Sequence, residues 1–507
     1  MKNFAMLILG LTLLATSVMG CSSGSGNDNN GNGGDADADT DAEGDGAGDA
    51  DGDTDADADA DADGDGDTDG DADSDAAVDG GGSDSGTDGG DFVSHFKRYT
   101  VVSGTTGPAW ASVGDVNKDS KPEIIVSFFG ALTDLQMKGQ VIQYTRTGGL
   151  DAWAPTPIAA QNAGIKYPNQ TELIDVDNDG DLDLIVPSGF LACEANPLAG
   201  ACGGLVWFEN TGTGWTRHNI VDPASKSVLF YHHVVMKDFD GDTLPDLVTV
   251  GERRTTAQKN TATVQMFKGT SDAVRFSTTP IDIASGMGGL VVGRDLDNDG
   301  DLDLFSAEYF LPTATFPKFS FAWLEQTVAP TTGANGGTWV RHVIANDVGP
   351  SIMFQFVDDL YGDGKLMAVG ANHTNTADTP SSPKEAVYAL DIPAAADLKD
   401  PWSKTQISQG IKSRKSPLGG PMGAPGIFGS GDVDDDGDID LVVSGDGDYR
   451  VFVLEQTSAG HFATHVLEKK LGQAGGCKVV DLDGDGKNEI VVTGYEDNVV
   501  YIYKWQG

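Results

Sequence analysis

Basic residues are scarce in this chain: 32 Lys and Arg stand against 78 Asp and Glu over 507 residues, for a formal net charge of -46 and a pI near 4.1. That balance excludes a nucleic-acid partner, because phosphate backbones are held by Lys and Arg. It points instead to cation binding, to solubility, or to both. Cysteine is equally sparse, four in all. No Gly-rich phosphate loop, zinc-type Cys/His spacing or Ser-nucleophile elbow occurs. Long apolar runs are also missing. The stretch from Phe4 to Thr16 is too short to cross a bilayer comfortably, and with Lys2 ahead of it it reads as an export signal.

The signal ends at Val18-Met19-Gly20-Cys21, which resembles a bacterial lipobox. The resemblance implies cleavage before Cys21, a lipid on its sulfur and new amino group, and membrane attachment through that lipid. Ser22 would then favour an outer-membrane or cell-surface destination. Residues 1–20 are thus assigned to the signal and 21–91 to a lipidated Cys with a tether. Residues 22–91 carry 25 acidic side chains and no Lys or Arg, and they offer nothing that buries a core. Cys193 and Cys202 bracket one short segment of an exported chain, so a local disulfide is expected between them. Cys477, before Val479-Val480, reads as a small core residue.

From residue 92 to 507 one pattern recurs, clearest at Asp175-Val176-Asp177-Asn178-Asp179-Gly180-Asp181-Leu182-Asp183. Carboxylates at positions 1, 3, 5 and 9, with Gly at 6 and a carbonyl at 7, make an all-oxygen shell suited to Ca²⁺. An EF-hand would place Glu at position 12 and helices on both sides, whereas Val186 stands there within a β-branched run, so the loop joins two strands. The first Asp recurs at Asp115, Asp175, Asp238, Asp295, Asp359, Asp432 and Asp481, and position 2 is apolar each time. The tether repeats the acidic spacing without that apolar frame, so it is expected to hold cations only diffusely.

Each unit continues with a strand out of the loop, a third strand such as Leu205 to Glu209, and a more polar fourth such as Trp215 to Val221. Four antiparallel strands in seven units predict an all-β, seven-bladed β-propeller. The last unit stops after its third strand, Val499 to Lys504. The orphan segment Phe96 to Val102 matches a fourth strand, so the N-terminal strand is expected to complete the last blade and close the ring.

The sixth copy, Ile427-Phe428-Gly429-Ser430-Gly431-Asp432-Val433-Asp434-Asp435-Asp436-Gly437-Asp438-Ile439-Asp440-Leu441, resembles the FG-GAP and VCBS repeat propellers, the integrin-alpha-like family. The resemblance implies structural Ca²⁺ in the loops and ligands on the opposite face. Carried over by position, five ligand sets look complete: Asp175, Asp177, Asp179, Asp183; Asp238, Asp240, Asp242, Asp246; Asp295, Asp297, Asp299, Asp303; Asp432, Asp434, Asp436, Asp440; and Asp481, Asp483, Asp485, Glu489. The first loop, Asp115, Asn117, Asp119 and Glu123, has one charge less and Ser120 in place of Gly, so weaker binding is expected there. The fifth loop, from Asp359 to Met367, has Tyr361 and Met367 at ligand positions and is expected to take no metal, leaving about six Ca²⁺ sites.

On the opposite face the candidates are Trp110, His232, His233, Glu308, Tyr309 and His373, beside Asn169, Gln170, Tyr231, Glu252, Arg253, Asn372, Asp446 and Tyr495. Neighbouring side chains in a strand point to opposite faces, so His232 and His233 are not expected to act together. The reading is a non-enzymatic binding or scaffold module for a protein or polysaccharide ligand. The alternative is a polysaccharide lyase or hydrolase acting on that same face.

Overall fold

A computed structural model describes residues 92–131, 138–190, 203–225, 227–254, 260–309, 321–331, 335–377, 382–415 and 422–507. Cys21, the tether and the Cys193–Cys202 pairing lie outside these residues. The described chain forms seven four-stranded antiparallel sheets. In the second sheet, Glu172–Ile174, Asp183–Ser188, Gly204–Asn210 and Trp215–Val221 follow one another outward as neighbours. The register runs Ile174↔Asp183, Leu184↔Phe208 and Phe208↔Arg217. Among the described residues no helix is long and apolar enough to cross a membrane.

Sequence pattern follows position in each blade. Second strands such as Glu123–Phe128, Asp183–Ser188 and Glu489–Gly494 are buried at every residue. They are covered on both faces by neighbouring blades, which is why they read as continuous apolar runs. Fourth strands lie outermost and alternate, as in Trp215–Val221.

The core is divided among the seams between blades. One cluster joins Val116, Ile125 and Val141 of blade 1 to Leu184, Val186 and Phe208 of blade 2. The next joins Val176, Ile185 and Trp207 to Val234, Leu247 and Phe267. Position 2 of the loop serves this packing, since Val116, Val176, Phe239, Leu360, Val433 and Leu482 each plug the seam toward the next blade. Leu360 does so at 0% exposure, although its loop has lost two ligand residues. Cys477 lies in the seam between blades 6 and 7, and burial pushes its thiol up.

The ring closes as the sequence implied. Phe96–Ser103 pairs with Val499–Trp505, from Phe96↔Trp505 to Ser103↔Val499, as fourth strand of the last sheet. Tyr99, Val101 and Val102 pack against the seam between blades 7 and 1. Ahead of the strand, Phe92 stacks on His465 of blade 6 at 4.3 Å, and Arg98 pairs with Glu468 at 2.6 Å.

Candidate functional site

The seven loops share one backbone course. The residue at position 6 is left-handed in every copy: Ser120 (φ 64°), Gly180, Thr243 (φ 78°), Gly300, Gly364, Gly437 and Gly486. Thr243 escaped the sequence reading, and a β-branched residue at positive φ is strained. In six copies the position-6 N–H donates to the position-1 carboxylate, over 2.6 Å at Gly364→Asp359 to 3.1 Å at Gly437→Asp432. Position 1 thus shapes the turn before any ion is considered, and the fifth loop keeps this bond.

Position 9 is buried near the start of the second strand, and in blades 1, 2, 3, 6 and 7 one of its carboxylate oxygens accepts the N–H of position 2. Val176→Asp183 (2.9 Å), Phe239→Asp246 (3.1 Å) and Val433→Asp440 (3.0 Å) are examples. The other oxygen accepts an N–H from the third strand at Asn210, Gln326 and Gln456, and from just beyond it at Gly269. Burial pushes these acids up: Asp183 and Asp246 to about 6, Glu123 and Asp440 to about 7, and Asp303 to about 8. The backbone donors oppose that rise, and the neighbouring loop carboxylates add to it.

In five loops three carboxylate oxygens from separate residues lie within 4.8 Å of one another. The sets are Asp175, Asp177, Asp183; Asp238, Asp240, Asp246; Asp295, Asp297, Asp299; Asp432, Asp434, Asp440; and Asp481, Asp483, Glu489. Such oxygen-only groupings could hold a hard cation. In blade 4, Asp295 Oδ1, Asp301 Oδ1 and Asp303 Oδ2 are buried without a hydrogen-bond partner, as is Asp483 Oδ1 in blade 7, and the blade 4 donor set fits a hard cation such as Ca²⁺. In the first loop, Asn117 Nδ2 donates to Glu123 Oε1 at 2.6 Å, tying up a ligand atom with an amide. The fifth loop has no such grouping among the described residues.

A feature missed in the sequence stands across the ladder from position 9. In blades 2, 4 and 6 that third-strand residue is Glu209, Glu325 or Glu455, and each meets a fourth-strand histidine. The pairs are His218–Glu209 at 2.8 Å, His342–Glu325 at 2.7 Å and His465–Glu455 at 2.6 Å. In blades 3 and 7 the same place holds Lys268 and Lys504. Comparing the third strands of the repeats position by position would have exposed this split.

At the opposite end of the strands a cavity of about 370 Å³ lies on the ring axis, lined from every blade. Its walls come from the starts of first strands and the ends of second strands. Trp110, His232, Tyr309 and His373 line it with Asn169, Gln170, Glu252 and Asp446. His232 Nε2 lies 3.1 Å from Glu252 Oε2, and His373 Nε2 lies 3.9 Å from Asp446 Oδ2, with the Tyr309 ring edge-on to His373 at 5.4 Å. Burial raises the Asp446 carboxyl, and His373 opposes that. Glycine makes the room: a Cβ at Gly423 would stand 2.3 Å from His373 Cδ2. Trp110 Nε1 and Gln170 Oε1 are buried without hydrogen-bond partners.

Glu308 and His233 fall elsewhere, and Tyr231, Arg253, Asn372 and Tyr495 are also absent from the cavity lining. Glu308 is 1% exposed and absent from the cavity lining; both of its oxygens accept from Arg341 Nη2 at 2.7 Å, a pair internal to blade 4. His233 turns away from His232, with Nε2 at 3.7 Å from Glu172 Oε2 on the neighbouring blade.

Residues 432–492, spanning the loops of blades 6 and 7, match the FG-GAP-like repeat family. A search of curated proteins finds no match to the chain.

Proposed function

The chain is a seven-bladed β-propeller carrying an FG-GAP-like repeat, and on that premise we propose that it is a calcium-clamped, non-enzymatic binding module whose ligand enters the axial cavity. The calcium reading rests on the carboxylate groupings of blades 2, 4 and 6, with weaker binding in the first loop. Export, lipid attachment at Cys21 and display at the outer membrane or cell surface belong to the same reading, with the acidic tether holding the ring off the membrane.

The observation that carries the ligand site is the cavity's lining, aromatic rings and polar side chains brought together from every blade. Trp110 and Gln170 line it beside the aromatic rings of Phe129 and Phe190, with the polar side chains of Asn169, His232 and His373 around them. Flat apolar faces with a few convergent polar groups suit the C–H faces and hydroxyls of a sugar. A polysaccharide chain is therefore favoured over a protein ligand.

The test is a glycan-array screen of wild type and Trp110→Ala, with product analysis of every bound glycan. Binding without product that drops at least tenfold in the variant supports the reading. Full binding by Trp110→Ala would refute the cavity as the site. One observation favours a second reading, that of a polysaccharide lyase or hydrolase: His373, Asp446 and Tyr309 converge in the same wall and offer groups for proton transfer. Product formation lost in His373→Gln would establish it.

A further inference from the structure

The residue facing position 9 divides the loops into two kinds. In blade 7 the ladder pairs Glu489 with Lys504, whose Nζ donates to Asp483 Oδ2 at 2.6 Å, Asp485 Oδ2 at 2.7 Å and Glu489 Oε1 at 2.7 Å. In blade 3 the pair Leu247↔Phe267 sets Lys268 beside Asp246; its Nζ bonds Asp240 and lies 2.9 Å from Asp242 Oδ2. The two side chains are only 12% and 18% exposed. Each ammonium bridges two or more carboxylates of its own loop.

No basic group does this in blades 2, 4 and 6 among the described residues. Glu209, Glu325 and Glu455 stand in the lysine's place there. Lys118 on Asp181, Arg275 near Asp177, Lys399 on Glu325 and Lys487 on Asp435 are each at least 36% exposed and each reaches one carboxylate from outside the loop.

We propose that Lys268 and Lys504 are built-in counter-ions, so that the loops of blades 3 and 7 are neutralised from within and do not take up Ca²⁺. An ammonium has three donors and no acceptor; Lys504 spends three, and Lys268 two, on carboxylate oxygens a metal would use. Ca²⁺ requires six to eight oxygens at about 2.3–2.6 Å. It would have to expel the amine and leave a half-buried positive charge beside a divalent one, which is unfavourable. Blade 7 is the blade that closes the ring, so its seam is held at any calcium concentration while blades 2, 4 and 6 respond to the ion. The inference goes beyond the proposed function but takes from it the identity of the exchangeable ion.

The test counts bound Ca²⁺ by native mass spectrometry on the full-length chain and on Lys268→Met, Lys504→Met and the double variant. Methionine keeps the apolar stem. The tether's diffuse association is common to all four proteins, so differences are read. One extra ion in each single variant and two in the double are expected; an unchanged count would overturn the assignment. If the wild type takes up no ion at its loops, the calcium reading of blades 2, 4 and 6 falls, whereas two ions gained by the double variant still uphold the lysines. Hydrogen exchange on the wild type needs no variant. Adding chelator should deprotect Gly180 and Gly437 and leave Thr243 and Gly486 unchanged, and equal deprotection of all four would overturn the proposal.

Discussion

Removing calcium is the perturbation that bears on the largest part of the molecule. Three loops, in blades 2, 4 and 6, group carboxylates without an internal ammonium. For extracellular modules Kd falls around 10⁻⁴ to 10⁻³ M, so each occupied loop at roughly 2 mM free ion contributes about 0.7 to 1.8 kcal/mol. Three loops together contribute about 2 to 5 kcal/mol. With an unfolding entropy of about 2.1 cal/mol/K per residue over a ring of roughly 400 residues, the midpoint should move by about 2 to 6 °C. The assay is calorimetric melting at pH 7.5 in CaCl₂, in MgCl₂ and in chelator. Mg²⁺ should restore little of the shift, because it demands a tighter octahedral shell than these loops were built for. A midpoint in chelator equal to that in calcium would refute structural calcium, and equal rescue by both ions would refute the ion's identity.

In chelator the ring should also become less stable as pH rises. Asp183, Asp246, Glu123, Asp440 and Asp303 titrate at about 6 to 8 when folded, above the roughly 4 of an unfolded chain. The folded state then binds more protons, so this stabilising contribution is complete near pH 4 and is lost as pH climbs through 6 to 8. Melting across pH 5 to 8.5 in chelator checks the sign, and a midpoint rising with pH would refute it; calcium should flatten the slope. Deleting residues 92–103 removes a whole ladder and the seam contacts of Tyr99, Val101 and Val102, at a cost of about 5 kcal/mol or more. Loss of the cooperative transition is expected, while deletion of 24–88 should leave the midpoint within about 1 °C; equal effects would refute closure by the N-terminal strand.

Much of the fold was legible because it is periodic. Seven copies of an acidic loop with an apolar second position set the blade count, and the orphan strand at Phe96 set the closure. What Val176 and its counterparts are for was less legible, since a seam between blades exists only once the ring is assembled. The same limit explains Glu308. Its position at the end of a second strand suggested the cavity, but the side chain turns into blade 4 to meet Arg341, a fourth-strand residue that spacing along the chain does not bring near. Trp110, His232, Tyr309 and His373 were placed more accurately because strand ends on one side of every blade converge on the axis.

The lysines mark where sequence reading needs register. Motif spacing looks along the chain, and by that measure the loops at Asp238 and Asp481 are as complete as those at Asp175 and Asp432. Lys268 and Lys504 enter only across the ladder, through Leu247↔Phe267 and Glu489↔Lys504. A repeat can therefore keep every ligand and still supply its own cation from the neighbouring strand. Retained carboxylates at Asp238 and Asp481 then reflect the demands of the turn, where position 1 holds the position-6 N–H in both. The fifth loop supports this from the other side: it lost two ligand residues, yet it keeps that hydrogen bond and its seam plug Leu360. Loop shape and ion binding are separable in this ring, and the ladder position facing the ninth residue is where they separate.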